Sequence, residues 1–145
     1  MEINYNDLNT FLESIHMGTK VSKIYKDKTQ DEEIKELLNE IISIFKKHET
    51  KVANLILEKG YNPTDDLSLG RELLVLMERL KLADDDFKIS MELLKAINMG
   101  AIKGSEFIYT HNNYDDNSLY ILKDVIKDYS YIYNKTTNYI TDKYL

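Results

Sequence analysis

Apolar residues recur at spacings of three and four through most of the chain, the pattern of helices with one buried face. From Asn6 to Lys28 the stripe is Leu8, Phe11, Leu12, Ile15, Thr19, Ser22 and Tyr25, with Asn6 or Asp7 as the expected N-cap. A second stripe of Ile34, Leu37, Leu38, Ile41, Phe45, His48, Val52, Leu55 and Ile56 predicts a helix of about 30 residues, ~45 Å long. Thr29-Gln30-Asp31-Glu32 has the form of a capping box at its start. Gly60 offers a left-handed stop, with Pro63 just beyond it.

After a turn over 61–66, the segment Leu67–Ala83 is apolar on several sides and predicts a shorter helix, capped by Asp66 or Ser68. Asp84-Asp85-Asp86 opens another long helix, with carboxylates where the N-terminal dipole favours them. Its stripe is Phe87, Met91, Leu94, Ile97, Ala101, Gly104, Ser105 and Ile108, ending near His111-Asn112-Asn113. Asp115 or Asp116 caps the last helix, whose stripe is Leu119, Leu122, Ile126, Tyr129, Tyr133, Thr136 and Ile140.

The two halves resemble each other. Ile15-His16-Met17-Gly18 aligns with Ile97-Asn98-Met99-Gly100 and, after a two-residue slip, Ile24-Tyr25 with Ile108-Tyr109 and Asn54 with Asn138. The expected architecture is therefore one all-α domain over 1–145. A hairpin (6–60), a crossover carrying a short fifth helix (61–83) and a second hairpin (84–143) would form a four-helix bundle with one long connection, the ferritin-like arrangement. An up-down bundle would not need so long a link between its second and third long helices.

Composition narrows the chemistry. Among 145 residues there is no cysteine, so disulfides and thiolate metal sites are excluded. The net charge of −6 argues against nucleic acid, whose phosphates need a basic face. No stretch of about 18 apolar residues occurs, so membrane insertion is not expected. The opening MEINYNDLNTF has no basic segment leading into an apolar one, so a cytoplasmic location is expected. Seventeen lysines stand against two arginines, alongside abundant Ile, Asn and Tyr, a usage that suggests an AT-rich bacterial coding bias.

The stretch Leu8–Gly60, with Asp31-Glu32-Glu33-Ile34-Lys35-Glu36-Leu37-Leu38, His48 and the helix closing on Gly60, together with the Met-Gly pairs at 17–18 and 99–100, resembles small bacterial ferritin-like domains of unknown function. These are related to spore-coat protein F and rubrerythrin-like bundles. Active di-iron members need a Glu from each of two helices and a Glu-x-x-His from each of the others. The resemblance puts His48 at a histidine position, but Phe45 stands three residues earlier where a carboxylate belongs. The repeat carries that pair onto Tyr129 and Ile132, and the remaining two glutamate positions fall on Gly18 and Gly100. One expected ligand is present, and one neutral imidazole cannot hold two divalent ions.

His48 therefore reads as a core histidine bonded to a Tyr or Ser across the bundle, the alternative being a remnant mononuclear ligand. Glu13-Ser14-Ile15-His16 is a literal Glu-x-x-His, although Glu13 and His16 lie beside the stripe on a helix where the family pattern does not place one. His111 suits a helix C-terminus. Gly18 with Ser22, and Gly100 with Gly104, are pairs of small residues that predict close packing of the first and third long helices; room for a ligand between them is the alternative. Eight of the eleven tyrosines follow position 108. Tyr129 and Tyr133 fit the core stripe, whereas Tyr131 and Tyr139 would face outward and support self-association.

No catalytic residue and no cofactor is expected. The expected function is a structural or protein-interaction role, with homo-oligomerisation one form of it and spore association implied by the resemblance. Two alternatives stand beside it: a reduced iron or manganese protein using His48 with nearby carboxylates on oxygen or peroxide, and a binder of a small apolar molecule in the bundle interior.

Overall fold

A computed structural model describes residues 4–65, 71–111 and 113–145. Five helices occur among them: α1 (Leu8–Lys28), α2 (Glu32–Glu58), α3 (Arg71–Leu82), α4 (Asp86–Thr110) and α5 (Asp116–Tyr144). The described residues form no strand, and no helix among them is long and apolar enough to cross a membrane.

Polar contacts at the two ends define how the helices run. At one end the Tyr5 hydroxyl donates to Asp115 Oδ2 (2.8 Å) and Lys59 Nζ lies 3.5 Å from the same oxygen. The start of α1, the end of α2 and the start of α5 therefore meet. At the other end Thr29 Oγ1 donates to Asp86 Oδ1 (2.6 Å), joining the end of α1 to the start of α4. Asp31 accepts from Tyr139 and pairs with Lys143 (3.4 Å), joining the start of α2 to the end of α5. Each of the packed pairs α1–α2, α2–α5, α5–α4 and α4–α1 is thus antiparallel. The link from α2 to α4 must travel the length of the molecule, and α3 lies within it, against α1 and α4. The expected N-caps of α3, Asp66 and Ser68, lie outside the described residues.

The core stripes of α1 and α2 are the expected ones: every residue in them is buried. In α5 the buried line runs Ser118, Leu122, Val125, Tyr129, Ile132, Thr136, Tyr139 and Ile140. Tyr133 is exposed rather than core, and Tyr139 is buried rather than outward. In α4 the line is Ile89, Ser90, Leu93, Ile97 and Gly104, with Phe87 turned out to meet Tyr144 edge-on at 5.2 Å.

Three caps are made by aspartates. Asp31, Asp85 and Asp115 accept from the backbone N–H of Glu33, Lys88 and Ser118, each satisfying a donor the first helical turn leaves free. The expected capping box at Thr29 is therefore not the cap of α2. The Thr29 hydroxyl is turned to Asp86 instead, because two helix ends meet there and the buried hydroxyl needs an acceptor. Gly60 stops α2 as expected. At φ +85° it lets its own N–H reach Leu57 O and the Tyr61 N–H reach Ile56 O.

Candidate functional site

Phe45 of α2 and Tyr129 of α5 are both buried and meet in the bundle's midsection, with ring centroids 5.6 Å apart and planes tilted by 60°. Each ring also fills the notch left by a glycine on its hairpin partner. A Cβ added to Gly18 would lie 2.9 Å from Phe45 Cζ, and one added to Gly100 would lie 2.7 Å from Tyr129 Cε1. At Gly104 the obstacle would be Ile126 Cδ1, at 2.6 Å. The small residues on α1 and α4 were expected to let those two backbones approach each other. The atoms nearest the absent methyls of Gly18 and Gly100 are instead side chains of α2 and α5, while at Gly104 Phe11 of α1 also comes within 3.5 Å. The reason is steric: two aromatic rings need more room than a Cβ on the facing helix leaves. Burial raises the Tyr129 phenol well above its ordinary pKa, so it stays neutral.

Beside these rings, α1, α3 and α4 line a cavity of about 590 Å³ that is open to solvent. Gly18, Ser22, Phe45, Gly100 and Tyr129 belong to its wall. Val75 and Met99 also line it and are 50% and 52% exposed, so apolar surface reaches solvent there.

His48 projects from α2 toward α5 and is 1% exposed. Its Nε2 lies 2.6 Å from Asp128 Oδ2, so its partner is a carboxylate rather than the expected Tyr or Ser. Lys47 Nζ reaches the same oxygen at 3.2 Å, and Lys51 Nζ lies 3.8 Å from Asp124 Oδ2. Burial, the largest influence, pulls the His48 pKa below its ordinary value; the bond to Asp128 opposes it. The neutral ring donates from Nε2–H, and its buried Nδ1 has no hydrogen-bond partner. His48, Asp124 and Asp128 bring one ligand atom each within 4.8 Å of one another, a group able to take a cation. Asp124 and Asp128 are four residues apart on α5, opposite Lys47 and Lys51 on α2; that matched spacing is the only signal of them in the sequence.

The literal Glu-x-x-His does not assemble. His16 Nε2 lies 3.0 Å from Thr64 O, and Nδ1 lies 3.4 Å from Glu49 Oε2 of α2, not against Glu13. Thr19 donates to the same Glu49 carboxylate. His111 Nδ1 lies 2.8 Å from Phe107 O while its ring stacks on Phe107 at 4.1 Å, closing the end of α4. Of the two tyrosines expected to face outward, Tyr131 is exposed and Tyr139 is buried, and both hydroxyls bond within the chain. Tyr131 donates to Glu40 and Tyr139 to Asp31.

No protein-family description, curated protein or solved structure matches this chain.

Proposed function

We propose that this protein is a ferritin-like bundle that acts by binding rather than by catalysis. The antiparallel neighbours and the long crossover over α3 support the ferritin-like reading. The single observation that carries the functional reading is the filling of the midsection. The four positions where the resemblance implies carboxylates are Gly18, Phe45, Gly100 and Tyr129, and they interlock as two ring-in-notch pairs. Two divalent ions need several anionic oxygens, and these residues supply none. Protein contacts, including contacts between copies of the chain, remain the favoured mode of action, and Leu74 (63% exposed) and Leu82 (80%) on α3 offer apolar surface for them. A cytoplasmic setting rests on the opening segment having no signal-like pattern, and spore association rests on the sequence resemblance.

Aerobic oxidation of ferrous iron, followed by absorbance with and without the protein, tests the non-catalytic reading. The expected rates are equal. An acceleration that scales with protein concentration would overturn it.

A second reading has its own observation. The His48–Asp124–Asp128 group could hold one cation on the α2–α5 seam. Binding through Nε2 would move the ring proton to Nδ1, which has no acceptor, whereas metal-bound histidines usually donate from their second nitrogen. That unmet requirement ranks this reading below the first.

A further inference from the structure

The chain's only two arginines, Arg71 and Arg79, stand on α3, and both line the cavity between α1, α3 and α4. Everywhere else the basic residue is lysine, 17 times. Lys103 and Lys95 line the same cavity, opposed among the described lining residues by one carboxylate, Glu92, which lies 3.2 Å from Lys95 Nζ. Among the described residues, Arg71, Arg79 and Lys103 have no ion-pair partner. On a molecule of net charge −6, the described residues lining this cavity carry four basic side chains against one carboxylate. Like charges gathered without a counter-ion repel one another and favour an anion among them.

The wall has the opposite character. Met17, Val21, Leu93 and Ile97 line it beside the rings of Phe45 and Tyr129. At about 590 Å³ the cavity lies within the size range of small-molecule sites. On α4 the lining runs from Glu92 to Lys103, ~16 Å along the helix at 1.5 Å per residue. The space is therefore a slot rather than a cup. A neutral hydrocarbon would leave the cations unanswered, and a small hydrophilic anion would leave the apolar wall in water. Both are satisfied by an extended apolar chain ending in an anion. A planar guanidinium fork matches a carboxylate through two parallel hydrogen bonds, which an ammonium cannot do.

We propose that the α1–α3–α4 cavity binds a long-chain fatty acid, with its acyl chain along α4 beside the Phe45–Tyr129 pair and its carboxylate on the guanidinium of one of the two rim arginines, Arg71 or Arg79, which stand ~12 Å apart along α3. The site is separate from the His48 group on the α2–α5 seam, so this proposal stands or falls apart from any metal chemistry there.

Isothermal titration of the full chain with palmitate, below its aggregation concentration, tests the proposal, with hexadecanol, octanoate and hexadecyl phosphate in parallel. Saturable binding of one palmitate per chain is expected, at least tenfold tighter than hexadecanol and octanoate. Arg71→Gln/Arg79→Gln should weaken palmitate about tenfold or more and leave hexadecanol unchanged. Both arginines are exposed, so the variant should keep the wild-type melting temperature. Ala96→Phe, which fills the slot from α4, should abolish binding of both ligands. Absence of saturable palmitate binding, equal affinity for hexadecanol, or an unchanged palmitate affinity in a folded double variant would overturn the proposal. Tighter binding of hexadecyl phosphate than of palmitate would overturn the carboxylate assignment.

Discussion

A methyl group on Gly100 would sit 2.7 Å from Cε1 of Tyr129, closer than two carbons can stand without something moving. Gly100 lies within α4, where glycine costs about 1 kcal/mol relative to alanine. The ring on α5 explains why a glycine is there. Gly18 and Phe45 repeat the relationship in the first hairpin, at 2.9 Å, and the two rings meet each other at the molecule's centre.

Gly100→Ala is therefore expected to destabilise the protein by about 1–3 kcal/mol, the overpacking penalty exceeding the gain in helix propensity. In a Tyr129→Leu background the same substitution should become neutral or stabilising. The pair should couple by about 1 kcal/mol or more in a double-mutant cycle. Urea denaturation of the four proteins measures this. Stabilisation by Gly100→Ala in the wild-type background would refute the ring-in-notch arrangement.

His48 gives stability a pH dependence of definite sign. Its folded pKa is lowered, chiefly by burial, so the native state resists a proton that the unfolded chain accepts at about 6.5. Its contribution is fully present above that value and is lost as pH falls through the lower folded value. The urea midpoint of the wild type should therefore fall between pH 7 and pH 5. His48→Gln should be less stable at pH 7 and lose less over the same interval. A titration of the ring by nuclear magnetic resonance with a midpoint above 6.5 would contradict this.

Asp115 joins three helix ends. It accepts from the Ser118 N–H (2.7 Å) and from Tyr5, and pairs with Lys59. The bond from Ser118 and the Tyr5 hydroxyl hold its carboxyl well below the usual range. Asp115→Ala should cost about 1–2 kcal/mol at pH 7, as removal of an N-cap does. The deficit should shrink below about pH 4, where the unfolded carboxylate begins to protonate, and vanish as the folded one does. Thermal melts at pH 7 and pH 3 compare the two proteins. A deficit that stays constant with pH would place its cause outside the carboxylate.

The stripes of α1 and α2 are legible in the sequence because polar residues flank them on both sides and fix the helix's orientation. Along α5 that contrast fails. Tyr129, Tyr131, Tyr133 and Tyr139 share one composition, and a tyrosine serves equally as core or surface. Tyr139 is buried with its hydroxyl on Asp31, the N-cap of α2, whereas Tyr133 is exposed, and the difference depends on a residue distant in sequence. Helix ends are obscured for the same reason. Thr29 satisfies a local capping pattern, but Asp86, distant in sequence, takes its hydroxyl. At the midsection the lack of carboxylates at Gly18, Phe45, Gly100 and Tyr129 can be read from the sequence, whereas the fit of ring to notch needs the tertiary register. The His48 group is the least legible part. Asp124 and Asp128 are two aspartates among many until α5 is set beside α2.

The filled midsection is tested most directly by counting metal. The protein would be purified without chelators, incubated anaerobically with ferrous iron and manganese, desalted and analysed by plasma mass spectrometry. At most one ion per chain should survive, and any that does should disappear in Asp124→Asn/Asp128→Asn. Two ions retained per chain, unaffected by that substitution, would contradict an interior built of two rings and two glycines.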